Sequence, residues 1–256
     1  MRRLGNIFKE DKKSVIVALD HGLGLDVLPG MADVSKILKS IVVGGADAVL
    51  AGYGMSRTFV EELKGTGLIL RVDGGNSALS SFQTGNRMLD SEDALIEGAD
   101  CLACMGFPGA VNEVDTLINV SELAAEAHAW GLPVLAEMLP GGFGSEPAKT
   151  VETVRLAARI GAELGADIIK TSFVGSVSEF RTVVDGCFKP VIVLGGAKVK
   201  NLQDLFELVE KAMEAGVKGV AIGRNIWKHP DPGAVTAALV EIVHNDRSAS
   251  EVGKNL

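Results

Sequence analysis

Lys170 closes a short apolar run, Asp167-Ile168-Ile169-Lys170, and is the residue of this chain best suited to covalent chemistry. An amine at the mouth of a buried strand is short of water. Desolvation disfavours the ammonium and lowers its pKa. A neutral amine can attack a ketone or aldehyde and form an imine. The same position also suits a lysine paired with a carboxylate that braces a rim, and position alone does not separate the two readings. Asp20 and His21 end a second run, Val17-Ala18-Leu19-Asp20-His21-Gly22. Asp20 can take a proton from a substrate hydroxyl during carbon–carbon cleavage; it can equally hold a lysine or a hydroxyl in place, and such pairs also serve as loop anchors. Glu137 precedes Pro140-Gly141-Gly142 and is either an acid/base or a solvated side chain.

Two glycine pairs suggest an anion site. Gly195-Gly196 follows one apolar run and Gly223-Arg224 follows the next. Glycine lets backbone N–H groups approach an anion, and Arg224 adds charge and a forked donor set. One such pair is weak evidence of more than a turn; two pairs at neighbouring strand ends are stronger. Asp73 and Asn76, in Arg71-Val72-Asp73-Gly74-Gly75-Asn76-Ser77, are either hydroxyl-binding groups or turn residues. Cys101-Leu102-Ala103-Cys104 matches C-x-x-C by letter only. Positions three apart on a strand face opposite ways and cannot share a metal or form a redox pair. His128, His229 and His244 have no metal-ligand spacing, so no metal and no cofactor is expected.

The elements that must position these groups are regularly spaced. Short β-branched runs predict strands at Val15–Leu19, Ala48–Ala51, Leu68–Val72, Cys101–Met105, Val134–Glu137, Ile168–Thr171, Val191–Leu194 and Gly219–Ile222. Continuously apolar strands mean burial on both faces, as in a parallel sheet. Between them, Val34/Ile37/Leu38/Ile41, Leu117/Val120/Leu123/Ala124/Ala127 and Leu205/Leu208/Val209/Ala212 have helical spacing. Four helix ends read alike: Gly44-Gly45-Ala46-Asp47, Glu97-Gly98-Ala99-Asp100, Leu164-Gly165-Ala166-Asp167 and Ala215-Gly216-Val217-Lys218. Each offers a glycine for a left-handed C-cap. Eight strand–helix alternations fit a closed barrel or a doubly wound sheet, and the favoured reading is a single (β/α)8 TIM barrel over residues 1–256. Residues 1–13 form an N-terminal extension, a helix or plug beneath the barrel. Residues 246–256 form a polar tail that frays or makes oligomer contacts. In a barrel, chemistry belongs at the C-terminal strand ends. That location gathers Asp20, His21, Tyr53, Asp73, Asn76, Glu137, Lys170, Gly195, Gly196, Gly223 and Arg224.

Composition excludes some partners. The chain has 256 residues, 47% hydrophobic and 23% charged, with a formal net charge of −8. That is globular, and the acidic balance argues against nucleic acid. Three cysteines and a polar N-terminal segment fit a reducing compartment without a secretory signal. No stretch reaches the roughly 20 apolar residues of a membrane span, so the expected location is cytoplasmic.

At Ala18-Leu19-Asp20-His21-Gly22, Ile168-Ile169-Lys170-Thr171, Leu194-Gly195-Gly196 and Ile222-Gly223-Arg224-Asn225-Ile226-Trp227, the chain resembles the archaeal-type class I fructose-bisphosphate aldolase family. That group includes an aminodeoxyheptulosonate synthase and a thiolase of phosphorylated autoinducer-2. The resemblance runs from about Val15 to His244. It implies a (β/α)8 barrel, an imine on Lys170, Asp20 in proton transfer or hydroxyl binding, and phosphate held by Gly195, Gly196, Gly223 and Arg224. It also implies a homo-oligomer, a pentamer or decamer. One departure stands out: aldolases of the family carry a Tyr-Pro-Arg-Gly motif after strand five, and here Leu139 replaces the tyrosine in Glu137-Met138-Leu139-Pro140-Gly141-Gly142. Leucine cannot transfer a proton, so Glu137, His21 or a water must do so.

The function expected is a metal-independent class I aldolase acting on a phosphorylated ketose or keto compound. The alternatives are acetyl transfer to coenzyme A from a phosphorylated diketone, a catalytically silent sugar-phosphate-binding barrel, and a phosphate-binding isomerase without an imine.

Overall fold

A computed structural model describes residues 1–23, 31–74, 85–143, 147–196 and 199–255. Eight parallel strands close into a barrel in chain order: β1 (Ser14–Ala18), β2 (Ala48–Ala51), β3 (Gly67–Arg71), β4 (Cys101–Gly106), β5 (Val134–Met138), β6 (Ile168–Ser172), β7 (Val191–Leu194) and β8 (Gly219–Ile222). Pairing of Val15 with Val220 joins β8 back to β1. The helices α1 (Val34–Val43), α2 (Tyr53–Thr58), α3 (Ser91–Ile96), α4 (Glu113–Ala129), α5 (Val151–Glu163), α6 (Val177–Asp185), α7 (Leu202–Glu214), α8 (Arg224–Trp227), α9 (Pro232–Asn245) and α10 (Ala249–Val252) lie between and after the strands. The fold is the expected (β/α)8 barrel. No helix among the described residues is long and apolar enough to cross a membrane.

Several strand limits differ from expectation by one residue. β1 and β3 start at Ser14 and Gly67, which are not β-branched but whose amides bond to Lys218 O and Asp47 O. β5 and β6 run on to Met138 and Ser172, because Gly106 pairs with Met138 and Ser172 with Leu194. Glu137 and Lys170 therefore sit inside the sheet, not at its frayed edge.

Two cores result from the period-two alternation of strand side chains. Ile16, Ala18, Leu50, Ile69, Cys101, Ala103, Leu135, Ile168 and Ile192 fill the barrel, with Ile7 and Phe8 among them. The opposite faces, including Val15, Val49, Leu70, Cys104 and Ile169, pack beneath the helices. Cys101 and Cys104 thus lie in different cores, as their spacing requires. The expected N-terminal plug is a 3-10 turn at Arg2–Asn6 followed by buried Ile7 and Phe8, and Ser14 Oγ donates to the Ile7 carbonyl at 2.7 Å.

The helix-to-strand junctions do two jobs. Gly45, Gly98, Gly165 and Gly216 all have positive φ, between +71° and +102°, as left-handed caps require. The aspartate that follows three of these caps reaches back to the strand before it. Asp47 accepts from Val15 N at 2.6 Å, Asp100 from Leu68 N at 3.0 Å and Asp167 from Val134 N at 3.0 Å. In the tail, expected to fray or to make oligomer contacts, Ser248 and Glu251 form a capping box, and Ala249 and Val252 are buried in α10, which packs on α7. Two apolar residues three apart on one capped turn give it a face to bury.

Candidate active site

The alternation that fills the barrel also builds its mouth. Two positions beyond the inward Ala18, Ile69, Leu135 and Ile168 stand Asp20, Arg71, Glu137 and Lys170. Each continues an interior row, so four charged side chains converge where the apolar filling ends. Glu137 and Lys170 are partners in the β5–β6 ladder, which puts their side chains next to each other. Lys170 Nζ lies 3.0 Å from Glu137 Oε1, with the lysine side chain 6% exposed. The carboxylate-paired lysine and the buried lysine of the sequence reading are therefore one residue.

Arg71 ties the rest together. Its Nε donates to Asp20 Oδ2 at 2.8 Å, Nη1 to Asp73 Oδ1 at 3.2 Å and Nη2 to Glu137 Oε2 at 2.5 Å. The second oxygen of Asp73 accepts from Met105 N at 2.7 Å. Asp73 thus faces inward with both oxygens engaged, as a brace between β3 and β4. Asn76 lies outside the described residues.

Burial and partners pull these carboxylates apart. Burial alone would raise all three. For Glu137 the charges of Lys170 and Arg71 outweigh it and hold the carboxyl below its usual range; for Asp20, Arg71 and then Lys170 do so. In Asp73 burial wins over Arg71 and the Met105 amide, and its pKa is pushed up to about 6. His21 follows Asp20, with its Nδ1 3.8 Å from Asp20 Oδ1, too long for a hydrogen bond. Burial lowers its pKa, so the neutral imidazole prevails at pH 7. The ring meets Trp227 edge to face at 5.3 Å, and Trp227 Nε1 donates to the Ala18 carbonyl at 3.2 Å.

The glycine pairs directly follow the neighbouring strands β7 and β8. Gly223 has a packing reason to be glycine, since a Cβ there would collide with His21 and the Ala18 carbonyl. A Cβ at Gly195 would press on Ile222. Gly196 differs, with φ +64° and open space where a side chain would be. Arg224 Nη2 donates to the Gly196 carbonyl at 3.0 Å and Asn225 Nδ2 to the Gly195 carbonyl at 3.0 Å, so α8 pins this loop.

The lysine, the carboxylates and the glycine pairs were thus visible in sequence, while Arg71 as the common partner of Asp20, Asp73 and Glu137 was not. Its signal was a cation inside a predicted apolar strand, two residues after inward Ile69. The chain's single tyrosine, Tyr53, accepts from Arg57 Nη1 at 3.1 Å at the start of α2. Leu139 is buried, its amide bonded to the Gly106 carbonyl. Among the described residues no three His, Cys, Asp or Glu side chains are grouped to hold a metal ion.

The model of the DeoC/LacD family aldolases matches residues 14–229. The chain belongs to that family. That family is one of aldolases. Over 242 residues it is 33% identical to the 2-amino-3,7-dideoxy-D-threo-hept-6-ulosonate synthase of Halobacterium salinarum, covering 94% of this chain and 90% of that one. It is 30% identical over 250 residues to the 3-hydroxy-5-phosphonooxypentane-2,4-dione thiolase of Enterobacter sp., covering 97% and 82%. An archaeal fructose-1,6-bisphosphate aldolase, solved with its catalytic lysine bound to a carbinolamine intermediate, superposes with TM-score 0.86 at 29% identity, covering 94% of this chain and 98% of that one.

Proposed function

We propose that Lys170 is the imine-forming lysine of a class I aldolase acting on a phosphorylated ketose or keto compound. The observation that carries this reading is the buried Lys170 Nζ, 3.0 Å from Glu137 Oε1 at the mouth of the barrel. Glu137 accepts a proton from the ammonium, and the neutral amine attacks the substrate carbonyl. The carbinolamine forms, Glu137 returns the proton to its hydroxyl, and water leaves. The resulting iminium keeps a single positive charge on Nζ, where Glu137 already faces the ammonium. Asp20, with His21 behind it, takes the proton of the hydroxyl beside the scissile carbon–carbon bond. The bond breaks, its electron pair enters the iminium, and an aldehyde leaves. Protonation of the enamine and addition of water release the lysine and the second product.

Phosphate binds the backbone N–H groups of Gly195, Gly196 and Gly223 together with the Arg224 guanidinium, and holds the carbonyl over the amine. The open space around Gly196 supports this placement. The same reading includes assembly into rings of five or ten copies, which light scattering checks.

Borohydride reduction in the presence of dihydroxyacetone phosphate or fructose 1,6-bisphosphate, followed by peptide mass spectrometry, tests the reading. The expected result is an adduct on Lys170. No adduct there, with activity intact in Lys170→Ala, removes it.

One observation favours a second reading. Leu139 stands where family aldolases carry tyrosine, and a thiolase of a phosphorylated diketone is among the relatives. Acetyl transfer to coenzyme A from such a diketone would then be the reaction. Product formation that requires coenzyme A decides for it.

A further inference from the structure

A guanidinium usually grips one carboxylate with two parallel N–H bonds. Arg71 does otherwise: three nitrogens reach three carboxylates, those of Asp20, Asp73 and Glu137, at 2.8, 3.2 and 2.5 Å. It gives up the paired grip on any one of them and gains a fixed spacing among all. Asp20 follows β1 and Glu137 lies on β5, strands on opposite sides of the ring. Only a side chain crossing the mouth from between them can hold both. Arg71 does so at 2% exposure, where bulk water screens its charge little.

We infer that Arg71 is a positioning residue that keeps Asp20 and Glu137 ionised and fixed around Lys170, so that Glu137 is always ready to accept the lysine proton. The inference rests on the Lys170 reading. Its physical basis is a count of charges. The cluster holds two cations, Lys170 and Arg71, against three carboxyl groups. Without Arg71 one cation faces three buried acids, and burial then drives protons onto them. A protonated Glu137 cannot accept from Lys170, and an untethered Asp20 loses its place. Asp73 supports Arg71 from behind, its other oxygen fixed by the Met105 amide.

The test is the pH dependence of borohydride trapping with dihydroxyacetone phosphate in wild type, Arg71→Lys and Arg71→Met. In wild type the trapping rate holds down to mildly acidic pH. In Arg71→Met, which leaves one cation in the cluster, the acidic limb is expected to move up by about 1–3 pH units, as for a carboxylate that loses an arginine partner; Arg71→Lys keeps the charge but not the three-way grip, so its limb should move up by less. The kcat is expected to fall about 100-fold, the size of effect that a small misplacement of reacting groups produces, while KM changes little. A purely structural arginine would lower the yield of folded protein and leave the limb in place. The double variant Arg71→Met/Asp73→Asn removes one charge of each sign, which protects the fold; Lys170 is then the one cation left for Asp20 and Glu137, and the limb should still move up, by less than in Arg71→Met. Wild-type trapping on Lys170 with an unmoved limb and rate in the folded variants overturns the inference and leaves the Lys170 reading standing. No wild-type adduct sinks the Lys170 reading instead. Should no variant fold, carbon-13 NMR titration of wild type decides: Asp20 or Glu137 titrating at or above about pH 5, beyond the ordinary carboxylate range, overturns the inference.

Discussion

Both ends of this barrel carry buried carboxylates, but they use them differently. At the N-terminal end, Asp47, Asp100 and Asp167 each accept from a strand amide. Asp47 also meets His244 Nε2 at 2.9 Å and Lys9 at 3.4 Å. At the C-terminal end, Asp20 and Glu137 face the side chains of Arg71 and Lys170. An amide cannot give up its proton, so a carboxylate spent on one is a fastener. Lys9 beside Asp47 is 57% exposed and makes only a surface ion pair, whereas Glu137 faces an ammonium that is 6% exposed at the barrel mouth, where a proton can pass between them and on to a substrate. Asp73 belongs to both kinds, with one oxygen on an amide and one on Arg71.

Five measurements would break or sharpen this contrast. The largest effect is expected from Lys170→Met, with turnover falling roughly four orders of magnitude or more, as for loss of a nucleophile; steady-state kinetics with circular dichroism checks it. Glu137→Gln keeps the size of the side chain but removes its proton acceptor, and turnover should drop about 100-fold or more. At the other end, Asp47→Asn should cost about 2–4 kcal/mol of stability in urea unfolding, because His244 and Lys9 lose a charged partner. Turnover per folded molecule should stay at the wild-type value; a matched loss of turnover would erase the distinction between the ends.

The pH dependence of stability should also divide. Hydrogen bonds to Asp47 and Asp11 outweigh burial and raise the folded pKa of His244. A raised value means its contribution is complete below 6.5 and fades as pH climbs through the folded pKa. Asp73 rises from an ordinary 3.8 to about 6, so its contribution is complete below 3.8 and gone above about 6. Urea titrations of His244→Gln and Asp73→Asn between pH 3 and 9 should therefore differ from wild type in separate windows, the first above and the second below the ordinary histidine range. The smallest effect, about 1–2 kcal/mol of stability with normal turnover, is expected from Gly216→Ala, where φ +101° strains any side chain.

Much of this was legible in the chain. Alternating interior rows fixed which residues could reach the mouth, and the four helix ends announced their caps through glycine. Lys170, Glu137 and Asp20 were visible because charge at the end of an apolar run needs a reason. Arg71 was hidden for a physical cause: what matters is the distance across the ring from β1 to β5, and linear spacing does not encode a diameter. The aspartates after the glycine caps are plain in the chain, yet their reach to the preceding strand is a register effect that appears only once strands are paired. Gly223 reads in the sequence as part of an anion cradle or as a turn, and neither reading shows that its tightest neighbour is the His21 ring.

The indole lying against His21 has a practical use. The chain has two tryptophans; Trp130 is half exposed, and Trp227 is buried with its ring edge-on to the imidazole. Replacing Trp130 with phenylalanine leaves a single fluorophore at the threshold of the catalytic chamber. Its emission would follow the charge on the neighbouring imidazole and the arrival of a ligand, giving the enzyme an optical probe that needs no label.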